Sequence, residues 1–124
     1  MRAKLAKMSA ELALWLFWPA LCVVIWGELT PHPPGFVAHI WDKALHFTAY
    51  FGLSALAAVR LDARRMLIWA VLGLIAMGGA LEIFQGFTGR DADIFDEVAN
   101  SLGALCGAAV GLLFLRLVAA LERD

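Results

Sequence analysis

A polar stretch in the second half of the chain, between two long apolar runs, carries the side chains best suited to chemistry. Its candidate residues are Glu82, Gln85, Arg90, Asp93, Asp96, Glu97 and Asn100. Carboxylates can act as general acids or bases or bind a metal ion, and an arginine can hold an anion. Glu82 ends one apolar run and Asn100 begins the next. Because polar groups are costly to bury in such segments, they predict a functional site.

A second polar group opens the preceding apolar segment. Asp42 and His46 are four residues apart, which places them on one helical face with Lys43 beside them. An Asp–His pair can orient a general base or join a metal shell. The alternative is structural, with Asp42 capping the helix and His46 packing between helices as a polar group. A histidine deep in an apolar segment needs a partner, which favours the functional interpretation.

Glu82 and Gln85 share a face of the third apolar segment because they are three residues apart. Glu82 is the deepest carboxylate of the set, and it can serve as an acid, a base or a ligand. The alternative is a structural pair between Glu82 and Arg90 that ties the following loop to the helix. The sequence alone does not separate these two interpretations.

Asp93, Asp96 and Asn100 recur at steps of three and four residues, so one face of the fourth helix can carry all three. Acidic residues in a first turn are also favoured by the helix dipole. That explanation fits Asp93 and Glu97, but it does not fit Asn100, which lies within the apolar segment.

Three glycines follow Asn100 at four-residue spacing, namely Gly103, Gly107 and Gly111. A strip of small residues lets another helix approach closely, so we interpret it as a packing surface. The neighbour can be another helix of this chain or a second copy, and the second case would give a homo-oligomer. Close packing would hold Asp96 and Asn100 against neighbouring helices.

The composition predicts an integral membrane protein, since 62% of the residues are hydrophobic and the mean hydropathy is +0.77. We expect an all-α polytopic protein with one domain over residues 1–124 and four transmembrane helices near 10–27, 42–59, 66–85 and 96–116. A cleaved signal peptide is the rival interpretation of the first segment, but its tryptophans and Pro19 are poor for that role. Pro19 can kink the helix. No basic face for nucleic acid is present.

The positive charges are distributed unequally across the predicted membrane. Eight lysines and arginines fall on one side, and only Lys43 and Arg90 fall on the other. The positive-inside rule then predicts that both termini are cytoplasmic. The loops at residues 28–43 and 86–97 are expected to face outward.

Helix geometry predicts that three polar residues lie at one depth. Counted from the cytoplasmic arginines at about 1.5 Å per residue, His46, Glu82 and Asn100 lie about 21, 25 and 24 Å along the hydrocarbon core. Three different helices thus bring a polar side chain to the same outer layer. This favours one shared pocket.

Three ordered motifs resemble the VanZ-like family of small bacterial membrane proteins. They are D-K-x-x-H-F at residues 42–47, E-x-x-Q-x-F at 82–87 followed by Arg90, and D-x-x-x-N-x-x-G at 96–103. The resemblance covers roughly residues 40–112. The chain has Thr88 and Gly89 where the family often has a proline before the arginine, which affects the loop shape more than the chemistry.

The resemblance implies a multi-pass protein of the bacterial cytoplasmic membrane, associated with low-level resistance to the glycopeptide antibiotic teicoplanin. We therefore expect an outward pocket that acts on an amphiphilic envelope molecule. The expected partners are membrane lipids together with a lipid-linked envelope intermediate or a glycopeptide. Glu82, His46 and Asp96 are the candidate catalytic residues. The candidate substrate-binding residues are Asp42, Lys43, Gln85, Arg90, Asp93 and Asn100.

Two other functions compete with that hypothesis. The same residues can form a polar network that only locks the helices together, in a protein with a binding or structural role. Transport is disfavoured because the polar residues cluster near one face of the predicted bundle. A divalent cation on Glu82, Asp96 and His46 has no spacing signature, so the sequence assigns no metal and no cofactor.

Overall fold

The four apolar segments fold as helices in the computed structural model, which describes residues 4–31 and 41–123. The helices are α1 (Lys4–Leu29), α2 (Asp42–Arg60), α3 (Arg64–Gln85) and α4 (Ile94–Leu121). The predicted all-α class is confirmed. The first and last helices run past the predicted limits because their flanking charged residues continue the helix beyond the apolar run. α1 also continues through Pro19 without a break.

Three of the helices, α1, α3 and α4, are long and apolar enough to cross a membrane, with 26, 22 and 28 residues. This arrangement is that of a multi-pass membrane protein. Their outer faces carry large apolar side chains, such as Trp15 and Trp69, that are largely exposed. Lipid can cover such faces. The Leu5 N–H donates to the Glu122 carboxylate, so α1 begins and α4 ends at the same end of the bundle.

The second helix, α2, is the most enclosed element and packs most extensively on α4. It buries Tyr50, Leu53 and Ser54 in its middle and Ala57 and Ala58 further along. A helix with so much of its surface against protein needs fewer lipid-facing apolar residues. This explains why α2 is less apolar than the other three helices.

The glycine strip of α4 makes the contact with α2. A Cβ atom on Gly107 would lie 2.1 Å from the Phe51 carbonyl oxygen, and one on Gly103 would lie 2.3 Å from that of Phe47. Gly111 is held against Ala55 in the same way. The strip is therefore filled by α2 of the same chain. It is not a surface left open for the homo-oligomer contact that the sequence suggested.

Candidate functional site

His46 lies at the centre of a polar cluster where the four helices meet. Its ring is 4% exposed, and its Nδ1 lies 3.0 Å from Oδ1 of Asn100. The Asn100 amide nitrogen donates to Glu97 Oε2 at 3.1 Å, which fixes the amide oxygen toward the ring. Nδ1 therefore carries the hydrogen and donates it to Asn100. The close contact of α2 with α4 makes this pairing geometrically available.

Three carboxylate oxygens converge on the other ring nitrogen of His46. Nε2 lies 3.8 Å from Asp96 Oδ2, 3.9 Å from Asp42 Oδ2 and 4.0 Å from Glu82 Oε1. These acids come from α4, α2 and α3 respectively. Asp96 and Glu82 are buried, whereas Asp42 is exposed at one end of the cluster. The sequence predicted that His46, Glu82 and Asn100 lie at one depth along the helices, and the structure places them in one cluster.

Glu28, near the end of α1, is a fourth acid of the cluster that sequence reasoning missed. It is 7% exposed, and its Oε1 lies 3.8 Å from Nδ1 of His46. Its carboxylate also interacts with the buried Tyr50 hydroxyl. The sequence treated Glu28 as the flank of the first apolar run. Its position could have indicated this role, since Glu82 also stands at the end of an apolar run.

Lys43 joins α2 to the start of α4. Its Nζ contacts Asp93 Oδ2 at 2.7 Å and Asp96 Oδ1 at 3.1 Å. Asp93 is the N-cap of α4, and its other oxygen accepts the Phe95 N–H at 2.9 Å. A short polar side chain at this position satisfies an amide that the helix leaves free. Lys43 thereby fixes the direction in which the Asp96 carboxylate enters the cluster.

The two remaining acids are fixed from the loop between α3 and α4. Gly89, with φ +84°, allows the turn after α3 that brings Arg90 back over the cluster. Arg90 lies 3.5 Å from Asp42 Oδ1, and the Asp93 N–H donates to Glu82 Oε2 at 3.1 Å. Each of these acids is held by one oxygen and directs the other toward His46.

Gln85 and Arg90 also bind the free carbonyl groups at the end of α1. The buried Gln85 amide donates to the Glu28 carbonyl at 2.9 Å. Arg90 donates to the Gly27 and Glu28 carbonyls, each at 3.3 Å. Such carbonyls lack partners within the helix. These two residues therefore fasten α1 to the rest of the cluster.

Gly78 and Tyr50 make further contacts next to the His46 cluster, and the sequence did not predict them. A Cβ atom on Gly78 would lie 2.6 Å from Glu97 Oε2 and 3.2 Å from the Tyr50 hydroxyl. Gly78 thus lets α3 approach the pair formed by Glu97 and Asn100. Tyr50 is fully buried on α2, one helical turn from His46. A glycine within an apolar helix gave no indication of this role.

All nine residues that the sequence proposed as catalytic or substrate-binding lie in one connected network. They are Asp42, Lys43, His46, Glu82, Gln85, Arg90, Asp93, Asp96 and Asn100. His32 and His39, to which the sequence gave no role, lie outside the described residues. The network contains acids, an imidazole and two cations. Chemically it can bind a cation, accept a proton or hold an anionic group at its rim.

Asp93 gives the site a predictable response to pH. The hydrogen bond from Lys43 lowers the pKa of Asp93 below its ordinary value of 3.8. A lowered folded-state pKa stabilises the fold above the ordinary value, and this contribution is lost as the pH falls through the lower value. Asp93→Asn, which retains a capping side chain, should therefore reduce the melting temperature at pH 7.

The comparison that checks this expectation is thermal unfolding of both proteins in detergent at pH 7 and pH 3. The difference in melting temperature between wild type and Asp93→Asn should be smaller at pH 3 than at pH 7. Asp91→Asn removes the same charge two residues away and is the control. An equal gap at both pH values would show that the Asp93 charge does not contribute.

Comparisons with protein families, curated proteins and solved structures found no match to this chain. The functional argument therefore rests on the geometry of the cluster and on the residues themselves.

Proposed function

We propose that this chain is a VanZ-like protein of the bacterial cytoplasmic membrane, with four crossing helices that include α2 and with both termini cytoplasmic. The excess of lysine and arginine on one side supports this orientation. The hydrogen bond between Leu5 and Glu122, which places the start of α1 and the end of α4 together, supports an even number of crossings. In this orientation the polar cluster lies near the outer surface.

The cluster, we infer, acts on an amphiphilic envelope molecule. The observation that carries this inference is the set of buried acids around His46, which has exposed polar side chains at one end. Asp42 is exposed there, and the Lys43 side chain is 30% exposed beside it. A lipid-linked molecule can place its chain along the helices and its headgroup at this exposed end of the cluster. Lys43 and Arg90 would then hold an anionic headgroup.

Glu82 is the best candidate for a general base. It is 6% exposed, and within the described residues its Oε1 has no hydrogen-bond partner. Its other oxygen is held by the Asp93 N–H. A carboxylate with one fixed and one free oxygen is positioned to take a proton. His46 Nε2 is the alternative base, and Asp96 and Asn100 orient it.

The competing function is a non-catalytic one, in which the network locks the helices and the protein binds a lipid or an antibiotic. The bonds from Gln85 and Arg90 to the carbonyls of α1 favour it, because they have an evident structural role. They do not account for the free oxygen of Glu82. The catalytic and the structural functions therefore depend on different residues, and substitutions at those residues can distinguish the two functions.

Teicoplanin susceptibility of a sensitive Gram-positive host tests the proposal. We expect wild type to protect against teicoplanin more than against vancomycin, and Glu82→Gln to abolish this protection at an equal membrane level. The amide keeps the shape of the side chain but cannot accept a proton. The same substitution at the exposed Glu11, near the opposite end of α1, should leave protection unchanged.

Each alternative result has a defined meaning. Equal protection by wild type and Glu82→Gln would remove Glu82 from the mechanism and favour the non-catalytic function. Loss of protection together with a lower membrane level or melting temperature would assign Glu82 to the structural network. Absence of protection by wild type would contradict the link to glycopeptides.

A further inference from the structure

We propose that the cluster binds one divalent transition-metal ion through His46 Nε2 and the inner oxygens of Asp42 and Asp96, which are the Oδ2 atoms that face this nitrogen, with the Glu82 carboxylate beside the ion. The inference deepens the proposed function and rests on it in taking this cluster as the working site. The geometry, charge and hydrogen bonding of the cluster each support it separately.

The three donor atoms lie close to the spacing that one ion requires. Oxygen or nitrogen donors of Asp42, His46 and Asp96 all lie within 4.8 Å of one another. Two atoms that each lie about 2.1 Å from an ion are about 3.0 to 4.2 Å apart, depending on the angle between them. The distances of 3.8 Å and 3.9 Å from Nε2 to Asp96 and Asp42 fall within that range. Small side-chain movements would complete the contact between the two acids.

The tautomer of His46 is the one that a metal ligand needs. Asn100 accepts the hydrogen on Nδ1, so in a neutral ring the lone pair of Nε2 faces the carboxylates. Histidines that bind metals commonly donate their other ring hydrogen to a carbonyl or carboxylate oxygen in this way. A lone pair directed at three carboxylate oxygens is repulsive unless a proton or a metal cation lies between them. A bound metal ion would remove that repulsion.

Contacts from behind orient the acids, as is usual for residues that bind a metal. Lys43 holds the outer oxygen of Asp96, and Arg90 lies beside the outer oxygen of Asp42. The Asp93 N–H holds the outer oxygen of Glu82. In each acid the inner oxygen is the one that faces Nε2. Such outer contacts fix ligands and raise metal affinity.

A buried oxygen without a partner is the independent sign of a missing cation. Among the residues that the structure describes, Glu82 Oε1 has no hydrogen bond, and the Glu82 side chain is over nine-tenths buried. Four carboxylates lie within 4.0 Å of the imidazole, whereas Lys43 and Arg90 are the only permanent cations that the described contacts place on them. Ionised carboxylates in such excess need a compensating cation.

The donor set indicates the class of metal. One imidazole with two or three carboxylates suits Zn²⁺ or Mn²⁺, while sites built only from oxygen suit Mg²⁺ and Ca²⁺. The ion can enter past the exposed Asp42. A metal at this position would polarise an ester or phosphate group of an envelope molecule held at the exposed end of the cluster.

Metal binding by the full chain, purified in detergent and stripped with a chelator, tests this inference. The probes are Zn²⁺ and Mn²⁺ alone, with elemental analysis after dialysis and titration calorimetry. We expect about one ion per chain and a higher melting temperature with metal. Asp96→Asn and Asp42→Asn should each weaken binding at least tenfold, whereas Asp91→Asn should not change it. Asp42 is exposed, so its variant remains informative if Asp96→Asn does not fold.

Two results would overturn the inference. One is that wild type binds no more metal than the Asp42→Asn variant, and the other is that the melting temperature does not respond to either ion. Because no envelope molecule is present, this outcome is independent of the susceptibility test. A chain that binds metal but gives no protection would contradict only the glycopeptide proposal, and protection without metal binding would contradict only the metal site.

Discussion

Gly107→Ala should leave little folded protein, because it forces α2 away from α4. The new Cβ atom would lie 2.1 Å from the Phe51 carbonyl oxygen and 2.9 Å from its Cα atom. These are backbone atoms, so no side chain can rotate to relieve the clash. Overpacking costs about 1–3 kcal/mol in ordinary cores, and we expect about 3 kcal/mol or more here. Membrane level and thermal unfolding in detergent measure the effect.

Gly52→Ala is the matched control for this prediction. Gly52 lies in α2, and nothing stands within 4 Å of the Cβ position. Alanine favours a helix over glycine by roughly 0.5–1 kcal/mol, so this variant should be as stable as wild type or slightly more stable. If Gly107→Ala matched Gly52→Ala in level and melting temperature, the described contact between α2 and α4 would be wrong.

Asn100→Leu should produce the second large effect. Asn100 is fully buried and accepts from His46 Nδ1 at 3.0 Å while it donates to Glu97 Oε2 at 3.1 Å. Leucine has a similar size but leaves both partners unsatisfied. Each such group costs about 1–3 kcal/mol, so for the two groups we expect a loss of roughly 2–6 kcal/mol. Denaturant or thermal unfolding of the purified chain measures it.

Ser101→Ala provides the comparison at the neighbouring position. The Ser101 hydroxyl contacts Glu97 Oε1 at 3.4 Å, a weak bond at a half-buried place, so its removal should cost far less. Asn100→Asp keeps an acceptor for His46 but places a carboxylate next to Glu97, so its stability should lie between wild type and Asn100→Leu. Equal stability of the leucine and alanine variants would contradict the bridging role of Asn100.

The sequence predicted the helices well because apolar runs and the charges that flank them determine where a helix can cross a membrane. It did not predict that α2 is the enclosed helix. From the sequence, residues 42–59 resemble the other three transmembrane segments, since burial against protein and burial in lipid favour similar apolar residues. The glycines of α4 showed that some helix approaches closely, and only the structure shows that this helix is α2.

The residues of the candidate site were predicted from the sequence, but the contacts between their side chains were not. Counting the rise per residue placed His46, Glu82 and Asn100 at one depth, and the structure places them together around one imidazole. Which oxygen faces His46 depends on contacts between helices, and no spacing along one helix reveals these. Glu28 was missed for a related reason, because an acid at the end of an apolar run also marks an ordinary helix boundary.

Two parts of the cluster differ in how well their polar groups are satisfied. Gln85 and Arg90 satisfy the end of α1, so their removal should affect stability first. His46, Glu82 and Asp96 direct lone pairs or free oxygens toward a common point. A network that served stability alone would not need such a convergence, because buried polar groups are stabilising only when they are satisfied.

The most direct test of the central claim is mass spectrometry of the envelope lipids and lipid-linked envelope precursors from three matched strains. They carry wild type, Glu82→Gln or no copy, with equal membrane levels of the first two. If the cluster acts on an envelope molecule, one species should change in abundance or mass in the wild-type strain alone. An identical envelope in all three strains would contradict the account.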